Sequence, residues 1–238
     1  MMKVVIYMIV YGRRETTQKS INSLFKHTHH PFTLVIVNNN FPYPDGTKKF
    51  LEKLKREHPN IKIIENDINK GITISCYQVL KEEDADIYIK FDNDIEILTD
   101  FWLKSMVEIY RMVKNKYRYF ILGANILNVK YNFKILKEEK FGKFTVEWVE
   151  HIGGAIRMTP REVIEKVGYV HPYLPLHSLE DGIFTKKLRK HNFKIGRIRE
   201  IEAIHLKDST NEYSSLSYDL NFKYRYDLLT HNYRKSKL

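Results

Sequence analysis

Short apolar runs alternate with amphipathic stretches along the first hundred residues. The runs at 4–10 and 32–37 are typical of strands buried on both faces, 61–64 predicts a third strand, and the alternating Ile87, Ile89 and Phe91 predict a fourth. Between them, apolar residues recur every three or four positions, as at Ile21, Leu24 and Phe25, which predicts helices. Because strands alternate with helices, we expect right-handed crossovers and a mostly parallel sheet in this half.

The pattern changes after residue 98. Apolar residues at helical spacing follow Thr99 and Asp100, either of which can cap a helix, and 119–127 reads as a further strand. Strict alternation then predicts a hairpin whose connection contains Gly142. Its two strands carry Val129, Tyr131, Phe133 and Ile135, and then Phe144, Val146 and Trp148. We therefore expect a smaller antiparallel element in the second half.

A capping pattern predicts a helix after the hairpin. Thr159 would be the cap, Pro160 the first helical residue and Glu162 the acid that completes a capping box, with Gly168 as the end. A long loop over 169–179 then precedes a helix expected from Glu180 to about His191. Loops of that length in compact domains are often functional.

The composition favours one globular domain with a short tail. The chain has 238 residues, 43% of them hydrophobic, which is enough for one substantial core. A single cysteine, Cys76, excludes an intramolecular disulfide framework and favours a reducing compartment. No apolar run approaches the roughly 20 residues that span a bilayer. The amino terminus lacks the pattern of a secretory signal, so we expect a cytoplasmic protein.

The formal net charge of +11 favours contact with anions. Nucleic acid, an acidic membrane surface or a phosphorylated substrate would each satisfy it. Much of the excess is lysine scattered over predicted helix faces, and no arginine and aromatic signature of a nucleic-acid module occurs. We therefore expect no nucleic-acid partner.

Two carboxylates follow the fourth predicted strand. Asp92, Asn93 and Asp94 come directly after Phe91. Ligands gather outside the carboxyl ends of strands in open α/β sheets, and closely spaced carboxylates there suit a divalent cation that carries a phosphate-bearing substrate. Asp and Asn are also common turn residues, so the stretch alone is equally compatible with an ordinary loop. The sequence lacks the glycine-rich turn of dinucleotide folds and the Gly-Lys-Ser/Thr loop of P-loop enzymes.

Several motifs occur in a fixed order over about residues 2 to 206. They are the strand exit at Tyr11 to Arg13, the strand end at Asn38 and Asn39, the turn at 65–71, Asp92 to Asp94, Gly153 to Ala155, Glu180 with Asp181, and His205 after a short apolar strand. In this order they resemble glycosyltransferase family two, the inverting nucleotide-sugar transferases with the GT-A fold. The resemblance implies an α/β fold with a mostly parallel central sheet flanked by helices. It also implies a domain over 1–206, with a nucleotide-binding half (1–98) and an acceptor half (99–206).

The resemblance implies a role for individual residues as well. Asp94 would hold Mn²⁺ or Mg²⁺ with His205 as a further ligand, and Asp181 would be the general base for the acceptor hydroxyl. We expect its position at a helix start to lower the pKa of Asp181. The residues expected to contact the nucleotide sugar are Tyr11, Arg13, Asn38, Asn69, Asp92 and Asn93. Those expected on the acceptor side are Gly153, Gly154 and Glu180.

Asn38 departs from the family pattern. The family usually has Asp there, which accepts a hydrogen bond from the nucleotide base. An amide oxygen can accept the same bond without the assistance of a charge. The base therefore stays open among UDP, GDP and dTDP types.

Two other functions stay open. A sugar nucleotidyltransferase shares a metal-bearing α/β fold, although the sequence lacks its early glycine-rich, arginine-containing loop. A noncatalytic basic binding module would keep the shape alone. The acceptor would be a glycan, a lipid-linked sugar or a protein, as in polysaccharide biosynthesis. The basic, tyrosine-rich tail at 207–238 either packs on the core, covers the acceptor or makes peripheral contact with a membrane.

Overall fold

The structure, a computed structural model, describes residues 2–130, 134–169 and 180–206. Within them, one ten-stranded sheet is flanked by six helices. None of these described helices is long and apolar enough to cross a membrane. The elements are β1 (Val4–Val10), α1 (Arg14–His27), β2 (Thr33–Asn38), α2 (Thr47–Glu57), β3 (Ile61–Glu65), α3 (Gly71–Glu82), β4 (Ile87–Phe91), β5 (Ile95–Ile97), α4 (Trp102–Lys114), β6 (Phe120–Ile126), β7 (Ile135–Phe141), β8 (Phe144–Val149), β9 (Ile156–Pro160), α5 (Arg161–Val167), α6 (Glu180–Lys190) and β10 (Lys194–His205).

The sheet is mixed, and most of its strands point the same way. The spatial order is β3-β2-β1-β4-β9-β6-β10-β8-β7, with β5 paired to β10 outside that path. Strands β1 to β4 are mutually parallel, and β10 is parallel to β6. Only β5, β8 and β9 run in the opposite direction among the described strands. The expectation of a mostly parallel sheet with a smaller antiparallel element is confirmed.

Alternate strand residues supply two cores, one on each face of the sheet. Along β1, Ile6 and Met8 pack towards α1, α2 and α4, whereas Val5 and Tyr7 pack towards α3, α5 and α6. Trp102 of α4 is fully buried in the first core. Because both faces are covered, nearly every residue of β1 is buried, which explains its continuous apolar run.

Parallel pairing brings the ends of β1, β2 and β4 to one edge of the sheet. Val10 pairs with Asn38, and β4 lies on the other side of β1 in parallel register. Strand β9 runs antiparallel to β4, so its beginning reaches the same edge, where Asp92 N donates to Ala155 O at 2.9 Å. The segments after the strands and the glycines before β9 therefore meet.

Two predicted helix caps are wrong. Thr159 and Pro160 belong to β9, where Thr159 pairs with Tyr88, and α5 begins one residue later without a side-chain cap. Strand pairing with β4 uses the backbone that a capping box would need. Helix α4 follows Phe101, which is in the left-handed region (φ 56°), and not Thr99 or Asp100. Thr99 Oγ1 instead donates to Glu200 O and accepts from Glu202 N, which ties this turn to β10.

Other boundaries also differ from expectation. Strands β5 and β9 were not predicted, and β10 begins at Lys194, well before the expected 201–205 strand. The hairpin is confirmed, with Gly142 in the left-handed region at its turn (φ 59°), but β7 begins only at Ile135. The predicted strand residues Tyr131 and Phe133, most of the long 169–179 loop and the 207–238 tail lie outside the described residues. The boundary at 206 stays a prediction.

Candidate active site

Asp94 lies between Arg13 and His205 at this edge of the sheet. Both Arg13 Nη1 and Nη2 are 3.3 Å from Asp94 Oδ2, and His205 Nδ1 is 3.6 Å from Asp94 Oδ1. Strand β5 follows Asp94 and pairs His205 with Ile95, so the end of β10 is held beside Asp94. Burial raises the pKa of Asp94, but His205 and Arg13 outweigh it and hold that pKa below its usual value.

The donor set fits a divalent cation that is shared with a substrate. Asp94 and His205 supply one carboxylate and one imidazole, and no group of three His, Cys, Asp or Glu that could hold a metal occurs among the described residues. A cation held by one or two side chains commonly completes its coordination with substrate phosphates and water. The imidazole favours Mn²⁺ over Mg²⁺.

Asp92 faces the other way, towards a buried lysine. Lys90 is 2% exposed, and its Nζ donates to Asp92 Oδ1 at 2.8 Å and to Gly154 O at 3.4 Å. Burial raises the pKa of Asp92 to about 6; Lys90 opposes the rise, whereas Asp94 and Asp181 add to it. Its side chain is still 31% exposed, so the carboxylate is not fully enclosed.

Asp181 approaches Gly154 from the same side as Lys90. Arg157 Nη1 donates to Asp181 Oδ1, and Arg157 itself is fully buried. A Cβ on Gly154 would lie 2.6 and 2.7 Å from the two Asp181 oxygens, and closer still to Lys90 Nζ. Burial raises the pKa of Asp181, yet Lys90 and Arg157 lower it to about 2. A low pKa was expected from the helix start, and these two cations are a cause that the sequence did not reveal.

The remaining acceptor-side predictions fall beside Asp181. Glu180 begins α6 and is buried, and its Oε2 has no hydrogen-bond partner among the described residues. Gly153 is open, because nothing lies within 4 Å of the position that a Cβ would occupy there. Of the two neighbouring glycines, only Gly154 is required by close packing.

The structure explains why position 38 is an asparagine. Asn38 Nδ2 donates to Glu65 Oε2 at 2.9 Å, which a second carboxylate at this position could not do. A cleft of about 640 Å³ adjoins Asn38 and includes Phe41 and Tyr43 in its lining. Tyr11 packs edge-on against Phe41, with ring centroids 5.0 Å apart. Aromatic rings and a buried amide therefore lie together at the ends of β1 and β2.

Two predicted contact residues use their amides inside the protein. Asn93 Nδ2 donates to Thr17 Oγ1 at 3.0 Å, which ties the turn after β4 to α1. Asn69 Oδ1 accepts the Gly71 N–H at 2.9 Å at the start of α3. Both amides therefore shape the turns to which they belong.

Sequence reasoning missed Lys90 and Arg157. They are direct partners across β4 and β9. Lys90 is a cation inside the otherwise apolar strand β4, and that anomaly is the one signal the sequence offered. Their pairing could not be foreseen, since β9 was not recognised as a strand.

Solved structures identify the class of fold. GalNAc-T7 with UDP, GalNAc and Mn²⁺ is similar at a TM-score of 0.70 and 13% identity, over 87% of this chain and 43% of that one. Mannosyltransferase PcManGT from Pyrobaculum calidifontis, with GDP-Man and Mn²⁺, is similar at a TM-score of 0.69 and 12% identity, over 88% of this chain and 58% of that one. S. aureus TarS with UDP-GlcNAc is similar at a TM-score of 0.66 and 17% identity, over 90% of this chain and 61% of that one. The chain thus has the GT-A fold and spans between about two fifths and three fifths of these proteins.

The family follows from the sequence match. The model of glycosyl transferase family 2 matches residues 5–167, which is more than half of the chain. This chain therefore belongs to glycosyl transferase family 2. No curated protein matches it closely enough to count as a relative.

Proposed function

We propose that this chain is an inverting, metal-dependent glycosyltransferase that moves a sugar from a nucleotide-diphosphate donor to an acceptor hydroxyl. One observation carries the proposal: the Asp94 carboxylate beside His205 and the partly buried Asp181 carboxylate lie at the same sheet edge, and both act on the pKa of Asp92, which lies two positions before Asp94. Family membership and the GT-A fold support the same reaction class.

Each group has a distinct proposed role. Asp94 and His205 hold Mn²⁺ or Mg²⁺, which when bound stabilises negative charge on the departing diphosphate. Arg13 donates to the Asp94 carboxylate and is placed to contact a phosphate. Asp92 contacts the donor from the Lys90 side. Asn38 lines the cleft that receives the base, Tyr11 packs on Phe41 of that cleft, and Asn69 and Asn93 shape turns near the nucleotide sugar.

Asp181 acts as the general base. The acceptor hydroxyl gives its proton to Asp181 while its oxygen bonds to the anomeric carbon, and the bond from that carbon to the diphosphate oxygen breaks. Nucleoside diphosphate leaves with the electron pair. A base whose pKa is about 2 is fully ionised at neutral pH but weak, so its contribution comes from placement against the hydroxyl. Gly153, Gly154 and Glu180 form the acceptor side around it.

The neighbouring structures contain UDP, GDP-Man or UDP-GlcNAc, and two contain Mn²⁺. They support a nucleotide-sugar donor and a divalent cation for this chain. We propose a glycan, a lipid-linked sugar or a protein as the acceptor, in polysaccharide biosynthesis at the cytoplasmic side of a membrane. The tail at 207–238 would then provide peripheral contact.

Donor binding and turnover test the proposal. Thermal unfolding should be measured with UDP, GDP and dTDP sugars in the presence of Mn²⁺, because a ligand that binds the native state stabilises it. The stabilising donor should then release nucleoside diphosphate, and a product of inverted anomeric configuration should form with an acceptor. Asp94→Ala and Asp181→Asn should abolish turnover. Asp84→Asn is a matched control, since Asp84 is 79% exposed and precedes β4 at the opposite end of that strand.

Other outcomes would contradict the proposal. Pyrophosphate release from a nucleoside triphosphate would show a nucleotidyltransferase. Unchanged turnover in both active-site variants, together with strongly salt-dependent binding of nucleic acid or anionic lipid, would show a binding module.

A further inference from the structure

A row of paired residues places two cations side by side inside the sheet. Tyr7 on β1 pairs with Lys90 on β4, and Lys90 pairs with Arg157 on β9. All three side chains are buried, with Lys90 at 2% and Arg157 at 0% exposure. Like charges directly opposite each other on one sheet face are destabilising, and a buried cation is costly unless it is paired. This row therefore requires matching anions.

The matching anions are the two carboxylates of the proposed site. Asp92 accepts from Lys90, and Asp181 accepts from Arg157. Lys90 Nζ and the Asp181 oxygens both crowd the position that a Cβ on Gly154 would fill, so the ammonium lies next to Asp181 as well. Burial lowers the pKa of Lys90, but the Asp181 and Asp92 carboxylates outweigh it and hold that pKa above its usual value. One buried lysine thus spans the donor-side and acceptor-side carboxylates.

Arg157 is fixed on every side. Its Nη2 donates to the Tyr169 hydroxyl at 3.0 Å, and its guanidinium lies 5.0 Å from the Phe184 ring centroid and 5.9 Å from that of Tyr169. Its Nε is buried without a hydrogen-bond partner among the described residues. A buried ion pair with an unsatisfied donor contributes little to stability compared with an apolar replacement. We therefore expect a contribution of the Arg157–Asp181 pair to function and not to stability.

We propose that Lys90 and Arg157 are positioning residues for glycosyl transfer: Lys90 fixes the spacing of Asp92 and Asp181 beside Gly154, and Arg157 fixes the orientation of the Asp181 carboxylate. The inference rests on the proposed function, in which Asp181 is the base. Neither cation touches the reacting atoms. Their effect is to hold a weak base where misplacement by 1 Å would cost on the order of 10²-fold in rate.

Four variants separate positioning from mere structural support. Arg157→Lys keeps the charge but loses the planar guanidinium, which binds Asp181 and Tyr169 at once. Lys90→Met removes the ammonium while keeping a side chain of similar length. Tyr169→Phe removes only the hydroxyl that accepts a hydrogen bond from Arg157. Arg197→Lys is the control. Arg197 lies two strands further along the same row, where its Nε donates to the buried Glu147 at 2.7 Å.

Steady-state turnover of the best donor and binding of its nucleoside diphosphate with Mn²⁺ should be measured for each. We expect kcat to fall about 10-fold to 100-fold in Arg157→Lys and Lys90→Met and about 3-fold to 10-fold in Tyr169→Phe. In Arg157→Lys and Tyr169→Phe, which leave the Lys90–Asp92 pair in place, KM and Kd for the donor and its diphosphate should stay within about twofold of wild type. Arg197→Lys should keep kcat within about twofold.

Unchanged kcat in the site variants, or an equal loss in Arg197→Lys, would overturn the inference while leaving the proposed function intact. If Arg157→Lys does not fold, Tyr169→Phe decides the matter, because loss of one hydroxyl leaves every charge paired. A wild-type protein without any donor turnover would instead refute the proposed function, and the positioning role would fall with it.

Discussion

Replacing Gly154 with alanine adds one methyl group at the most crowded point of the site. The new Cβ would lie 2.6 Å from Asp181 Oδ2 and closer still to Lys90 Nζ, whereas ordinary contact begins at 3.4 Å. Both side-chain ends would have to withdraw by about 1 Å. Because side-chain ends move and not backbone, we expect the free energy of unfolding to fall by only about 1 kcal/mol, the low end for overpacking.

The effect on turnover should be much larger. A displacement of about 1 Å at a positioned group costs on the order of 10²-fold in rate, or about 2.7 kcal/mol of transition-state stabilisation. Release of nucleoside diphosphate gives kcat, and thermal unfolding gives stability. Gly153→Ala is the matched control, since nothing lies within 4 Å of its Cβ position and neither glycine is in the left-handed region. We expect that control to keep kcat within about twofold.

Equal kcat values for the two alanine variants would refute this reasoning. So would a Gly154→Ala protein that loses activity only in proportion to the fraction unfolded. Either result would mean that the close approach of Lys90, Gly154 and Asp181 has no part in the reaction.

Three further outcomes are expected. Asn38→Asp should lower the melting temperature at pH 7 by an amount equivalent to about 1 kcal/mol, because the new carboxylate would face that of Glu65. Adding Glu65→Gln to the same chain should restore the melting temperature in a thermal scan. Burial raises the pKa of Glu139, but its hydrogen bonds to Lys116 and Trp148 lower that pKa from 4.5 to about 2. The stability that ionised Glu139 contributes is therefore present above pH 4.5 and is lost as the pH falls towards 2. In urea unfolding, the free energy of unfolding of Glu139→Gln should fall less steeply between pH 4.5 and 2 than that of the wild type. Chelation of divalent cations should remove the stabilisation that nucleoside diphosphate confers, and Asp94→Asn should do the same in a thermal-shift titration.

Part of the fold follows directly from local patterns. The parallel strands β1 and β2 are buried on both faces, so each is a nearly continuous apolar run that can be recognised without knowledge of its partners, and β4 is apolar except for Lys90. Strand β9 lacks such a signature, since it contains Arg157, Thr159 and Pro160, and the last two also match the beginning of a helix. Pairing with β4 on one side and β6 on the other makes it a strand.

The candidate site divides in the same way. Parallel strands end at one edge, so the proximity of the segments after β1, β2 and β4 could be expected from chain order alone. The hydrogen-bond partner of each side chain could not be predicted from chain order. Asn38 was taken for a base contact, but its amide is also bonded to Glu65. Asn93 was grouped with Asp92 and Asp94, yet its amide is bonded to Thr17 on α1.

The sequence by itself determined the α/β class, the succession of the first four strands along the chain, and the position of Asp94 shortly after a strand end, because these depend on local periodicity and chain order. The tertiary structure decided how charge is distributed around the carboxylates. Lys90 and Arg157 are 67 positions apart in the numbering, and only antiparallel pairing of β9 with β4 makes them neighbours. Burial then makes their charges act strongly on Asp92 and Asp181, since the surrounding protein screens them far less than water does.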